Sequence, residues 1–174
     1  FIILACALWL ALEAFGWPRQ RSNIGAPAWA PRALMALVFV QVLLGALLAG
    51  ADGGPAYPDW PTIGHEWIPS TAFSLEPFWR NFTDNHATQH LFHRTTGYIV
   101  ALSAVGIAAL AMRKGEGAAR GAGVVLGALA LVQASLGIAT VLSVSPLSLS
   151  LTHQAVAAIL WATAVTAVRT NETR

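Results

Sequence analysis

Gly121–Val144, GAGVVLGALALVQASLGIATVLSV, carries no charged residue and exceeds the roughly 20 apolar residues that a membrane-spanning helix needs. Three further runs share this character: Ala33–Ala51, Leu91–Met112 and Leu147–Val168. None of the four contains Lys, Asp or Glu, and Arg94 is their only Arg. They lack the alternation of membrane β-barrel strands, and helices satisfy every backbone group internally, as lipid demands. The predicted fold is an all-α membrane protein, a four-helix transmembrane bundle. A shorter apolar run, Phe1–Ala14, has no basic stretch before it and does not fit a signal peptide. It reads as the end of a truncated helix, and the chain as a piece of something longer. Cys6, within it, reads as a buried packing residue.

Composition agrees. Of 174 residues, 56% are hydrophobic and 10% charged, against roughly 45–50% and 25% in soluble domains. These values exclude a disordered chain, a coiled coil and a nucleic-acid-binding domain, and argue against an ordinary soluble enzyme. The single cysteine excludes an internal disulfide and a multi-Cys zinc site. The pI near 9.2 fits basic loops on one side of a membrane.

The basic residues cluster accordingly. Arg19, Arg21 and Arg32 precede the first full span, Arg113, Lys114 and Arg120 join the second to the third, and Arg169 and Arg174 close the chain. The opposite loop, from Asp52 to about His90, holds Asp52, Asp59, Glu66, Glu76 and Asp84 against Arg80 alone. Basic loops mark the cytoplasmic or matrix face of an inner membrane. The expected organisation is a helix end (1–15), a cytoplasmic loop (16–32), the bundle (33–168) with its outer loop (about 52–90), and a tail (169–174). Tyr57, Trp60, Trp67, Phe73, Phe78, Trp79 and Phe82 suit an interfacial cap, either packing the helix ends or acting as a lid. Prolines 55, 58, 61, 69 and 77 oppose a long helix before Phe78, and a short one is expected from about Pro77 into the next span.

A motif recurs. Gln41-Val42-Leu43-Leu44-Gly45 and Gln133-Ala134-Ser135-Leu136-Gly137 both lie on helices running outward. Each is followed by an inward helix with a His near its outer end, His93 or His153. A duplicated helix pair about an axis along the membrane normal would bring those two residues face to face. Ionisable side chains inside a span mark function, and neutral imidazole is a common axial ligand of haem iron. Gly45, Gly50, Gly123, Gly127, Ser135 and Gly137 would give a macrocycle room, although small residues serve plain helix packing equally. Arg94 reads as a partner for a haem propionate or as a snorkelling residue. Gln41 and Gln133 read as interhelical hydrogen bonders or pocket lining. His86 and His90 are expected to cap or line the outer mouth, and His65 to be solvated or interfacial. No phosphate-binding loop and no intraspan carboxylate is present.

As an ordered set these motifs resemble the C-terminal half of haem A synthase, a family of cytochrome oxidase assembly. The set comprises Gln41 to Gly50, Tyr57, Trp60-Pro61, Ile68-Pro69, Phe78-Trp79-Arg80-Asn81-Phe82, His93-Arg94, Gln133 to Gly137, and His153-Gln154. The resemblance implies eight helices in two similar halves, the C-terminal one holding haem b with His93 and His153 as axial ligands. It implies oxidation of the C8 methyl of haem O to the formyl of haem A. The catalytic residues would lie in the N-terminal half, so none is in this chain. His90 and Phe92 depart from the family pattern, where Gln and a polar residue are frequent. Implied partners are that N-terminal half, haem O, an electron donor and the bilayer, with no nucleic acid. Other readings are a small b-type cytochrome of the membrane, a half-size homo-oligomer, and a transporter or structural bundle without cofactor.

Overall fold

The computed structural model describes residues 1–16 and 23–171. Its helices are α1 (Ile2–Ala14), α2 (Trp29–Gly50), α3 (Arg80–Thr83), α4 (His86–Lys114), α5 (Gly117–Leu142) and α6 (Leu147–Thr170), with a 3-10 turn at Gly54–Ala56. Four of them, α2, α4, α5 and α6, are long and apolar enough to cross a membrane. The expected four-helix bundle is present. The positively charged residues Arg19, Arg21 and Arg174 lie outside the described residues.

Helix ends differ from the hydrophobic runs because capping and polar turns extend helices beyond their apolar part. Asn85 is extended, and its side-chain oxygen accepts from the amides of Ala87 and Thr88, so α4 starts at His86 inside the expected loop. This cap also separates α3 from α4, where one short helix leading into the span was expected. At the basic end α2 begins at Trp29 and α5 at Gly117, leaving Gly115-Glu116 as the link from α4. α6 runs through Arg169, which was assigned to the tail.

The helices form a ring. α2 packs on α4 and α6, and α5 packs on the same two, so α4 and α6 stand diagonally opposed. The core lies toward the basic end, where Leu34, Val38, Val100, Ala104, Ile107, Ala111, Leu126, Ala130, Leu160 and Trp161 are buried. Close approach there depends on small residues, Ala104, Ala108 and Ala111 on α4 meeting Gly123 and Gly127 on α5. A Cβ on Gly127 would collide with the Cβ of Ala108. The segment before α2 closes this end. Ile24 is fully buried, its amide donates to Asn171 Oδ1 (3.1 Å), and the Glu116 amide donates to the Asn23 carbonyl (2.9 Å). Gly25 adopts φ +81° with its Cα against the α4 end, so no side chain fits there.

α1 packs on α6 through Ala5, Leu8 and Trp9. Trp161 Nε1 donates to the Phe1 carbonyl (2.9 Å), and the buried Arg169 lies over the Trp9 ring (5.1 Å) and 3.6 Å from Glu13. Cys6 is exposed rather than buried, because only one side of α1 meets the bundle.

The α4–α5 contact predicts a large effect at one glycine. Gly127→Leu should destabilise the bundle by about 1–3 kcal/mol through overpacking. Gly106→Leu, whose Cβ position has nothing within 4 Å, should not lower stability. Thermal unfolding in detergent, followed by circular dichroism, compares the two.

Candidate functional site

The two copies of the Gln-x-x-Leu-Gly motif build the same local contact twice. On α2, Gln41 and Gly45 share a face one turn apart. The Gln41 amide nitrogen lies 3.1 Å from His93 Nδ1, and a Cβ on Gly45 would come within 2.9 Å of His93 Cε1. On α5, the Gln133 amide nitrogen lies 3.2 Å from His153 Nε2, and a Cβ on Gly137 would come within 3.1 Å of His153 Cε1. Each imidazole thus rests its edge on a glycine and meets one amide of the neighbouring helix.

The two histidines occupy equivalent depths. His93 is seven residues into α4 and His153 six into α6, so each stands about 10 Å below its helix start. The capped first turn of α4 makes this match closer than the apolar runs implied. α4 and α6 are diagonal in the bundle, and each imidazole faces the neighbouring helix that carries its glutamine, α2 for His93 and α5 for His153. The helix surface around them is less packed than the core. Gln133, Leu136, Gly137, His153, Val156 and Ala157 are half-buried, and full burial in α5 and α6 is confined to residues up to Ala130 and from Leu160 onward.

Arg94 is anchored in the long loop that precedes α3. Its NH1 donates to the carbonyls of Asp59 (2.8 Å) and Thr62 (2.7 Å), and its NH2 to that of Tyr57 (2.8 Å) and to His90 Nδ1 (3.1 Å). It is a strut under the outer loop. His90 does not line the mouth; it is 1% exposed. Its Nε2–H donates to the Gly53 carbonyl (2.9 Å), which leaves Nδ1 as the acceptor that Arg94 requires. One neutral tautomer therefore joins the start of the loop to α4. His86 borders a cleft of about 500 Å³ with Leu47, Gly50, Thr83 and Asp84, consistent with the outer-mouth expectation. His65 is exposed, as expected.

Several ordering residues were not singled out in the sequence. The Asp59 carboxylate accepts from the amides of Gly64 and His65 (both 2.9 Å) and from the Thr62 hydroxyl (2.7 Å). Burial opposes its ionisation, but these donors outweigh that and hold the carboxyl well below the usual range. The fully buried Asn81 accepts from the Leu75 amide and donates to the carbonyls of Leu75 and Phe78. Asn85 Nδ2 donates to Asn81 Oδ1 and to the Thr71 carbonyl. An Asn directly before a helix run is a capping signal and could have found Asn85. Phe92 packs on Phe73 (6.0 Å) and Phe82 (5.6 Å) and seats the aromatic cap on α4.

The side chains present suit a haem iron. Among the described residues no three His, Cys, Asp or Glu side chains converge. His93 and His153 could offer two imidazole ligands, the number of positions that a porphyrin leaves open on iron. Buried polar atoms without partners surround them: Gln41 Oε1, Gln133 Oε1 and His153 Nδ1. Ligating histidines characteristically donate their second ring N–H to such an acceptor. The glycines beneath both rings admit imidazoles where any side chain would displace them.

The sequence matches the family model of the cytochrome oxidase assembly protein, COX15-CtaA, over residues 1–165. It is 48% identical over 121 residues to the heme A synthase of Paracoccus denitrificans (strain Pd 1222), covering 70% of this chain and 32% of that protein. Identity to the heme A synthase of Maricaulis maris (strain MCS10) is 40% over 170 residues, covering 98% and 50%. For the heme A synthase of Bradyrhizobium sp. (strain ORS 278) it is 45% over 142 residues, covering 79% and 38%. The chain spans a third to a half of the length of these relatives. No solved structure matches it.

The loop network has a pH signature. A carboxyl depressed in the folded loop contributes fully above its unfolded pKa of about 3.9, and that contribution is lost as pH falls toward the folded value. Hydrogen exchange over the loop, corrected for its intrinsic pH dependence, should accelerate in the wild type below about pH 4. Asp59→Asn should exchange fast at every pH without that step, and Arg94→Gln should loosen the same segment. A wild-type loop whose exchange stays slow in acid would contradict the assignment.

Proposed function

The chain belongs to the cytochrome oxidase assembly protein family, and on that premise we propose that it is the haem b-holding part of a haem A synthase. In this reading His93 and His153 would hold the haem iron. The observation that carries it is the repeated contact at equal depth on diagonal helices, one imidazole on one glycine beside one glutamine amide, built twice. A bis-imidazole haem supplies one-electron transfer and offers iron no open position.

The chain's own residues do the holding. One ring nitrogen of each histidine would serve the iron; the Gln133 amide, turned so that its oxygen faces His153, would accept the other ring N–H there, while the Gln41 amide nitrogen is held by the His93 carbonyl (3.0 Å). Gly45 and Gly137 set how deeply the rings enter between helices. Arg94 and His90 hold the outer loop over the loop end of the bundle, limiting water near the site. The whole protein, in this reading, oxidises the C8 methyl of haem O to a formyl group, using residues outside this chain. The part described here relays electrons for that chemistry and sits in an inner membrane with Arg113, Lys114 and Arg120 on the cytoplasmic or matrix side.

The test uses the protein at its full natural length, purified from membranes in detergent. Pyridine-haemochrome and reduced-minus-oxidised spectra should show a six-coordinate haem b component. His93→Ala and His153→Ala should each abolish that component while helix content is retained. A haem b component that survives both substitutions would overturn the ligand assignment.

A further inference from the structure

The cleft beside His86, at the outer end of α2, has no part in holding a haem. At about 500 Å³ it falls within the roughly 300–1,000 Å³ of small-molecule sites. Its two sides differ in character. Ala46, Leu47 and Gly50 of α2 form an apolar floor, and Thr83, Asp84 and His86 form a polar rim. Val40, Leu43 and Leu47 recur at helical spacing on α2 and are all exposed, so an apolar track leads from the bilayer into the cleft. Gly50 borders this cleft and neither His93 nor His153, and a Cβ on it would have nothing within 4 Å.

The rim offers one donor and one acceptor. His86 Nδ1 is buried against Gly53 without a partner. A ring proton there would be stranded, so Nε2 carries it and is the nitrogen left for a ligand. Asp84 is half-exposed, and Arg80 Nε donates to its Oδ2 (2.8 Å), which fixes the carboxylate at the rim. An anionic head group would be repelled by that carboxylate. A phenolic hydroxyl suits both groups, its oxygen accepting from His86 and its proton facing Asp84. His86 also stands seven residues before His93 on one face of α4, about 10 Å along the axis. We propose that the cleft binds the head group of a membrane quinol, with its apolar tail along Val40, Leu43 and Leu47, and that this quinol is the electron donor to the haem. The donor role rests on the haem-holding reading above, whereas the binding site stands on the cleft alone. On oxidation both hydroxyl O–H bonds break in successive one-electron steps. Each step reduces one ferric iron to ferrous and sends one proton through Asp84 to the outer water. Two electrons and two protons leave each quinol, and the quinone departs.

The experiment uses the full-length protein in lipid nanodiscs and two probes, an azido-substituted short-chain quinone for photolabelling and decylubiquinol for anaerobic stopped-flow reduction. Labelling, mapped by mass spectrometry, should fall on residues 46–51 and 83–86 and be displaced by excess decylubiquinone. Gly50→Phe fills the cleft from a position with free space, and should abolish both the labelling and the rapid reduction of haem b by decylubiquinol. Its dithionite-reduced spectrum should stay that of the wild type. His86→Leu and Asp84→Asn should each weaken quinone binding about 10-fold, the net effect of one lost hydrogen bond. Gly106→Leu, equally open but on α4 away from the cleft, should change neither readout. Labelling that is absent, falls elsewhere or survives Gly50→Phe would overturn the site. Labelling at the cleft with no reduction by decylubiquinol, or with wild-type reduction in Gly50→Phe, would overturn the donor role. A wild-type protein without haem b would instead fail the haem-holding reading, which the starting spectrum reveals, and the labelling alone then decides the site.

Discussion

An imidazole within a membrane-spanning helix needs partners for both ring nitrogens, because lipid offers none. Everything near His93 and His153 follows from that constraint. Each ring has an amide one helix away and a glycine beneath it, and each contact draws on residues four apart on one helix face. The amide oxygens and His153 Nδ1 remain buried without partners. That inventory suits rings whose free nitrogens are meant for a ligand, and it is costly for a bundle whose only task is to pack.

The half of the bundle at the basic end holds this arrangement in place. Small residues let α4 and α5 approach closely, and large side chains such as Leu34, Leu126 and Trp161 fill what remains. Packing of this kind fixes helix register, so two histidines on separate helices arrive at one depth without touching the same element. The outer loop adds a second fixed point. Arg94 binds three of its carbonyls, and His90 ties its beginning to α4. The residue next to a proposed ligand is thereby a structural strut, and the cap is coupled to the position of His93 along the helix.

Much of this was legible in the sequence. Long apolar runs marked the four spans, since hydropathy over about 20 residues is a strong signal in a membrane protein. The repeated motif pointed to His93, His153, Gln41 and Gln133 together, since periodicity puts Gln and Gly on one face. Other features were not legible, for physical reasons. Arg94 and His90 bond to backbone carbonyls of a loop, and a carbonyl has no sequence signature. The first turn of α4 is polar and depends on the Asn85 cap, so an apolar run could not reveal it. Cys6 looked buried because α1 is apolar all round, and only tertiary contact shows which side meets α6.

The central claim is that His93 and His153 share one iron. Near-infrared magnetic circular dichroism of the oxidised full-length protein reads the axial pair of a low-spin haem directly. The account predicts a bis-imidazole charge-transfer band for the haem b component, absent after replacement of either histidine. A histidine–methionine band, or a high-spin spectrum in the wild type, would contradict it.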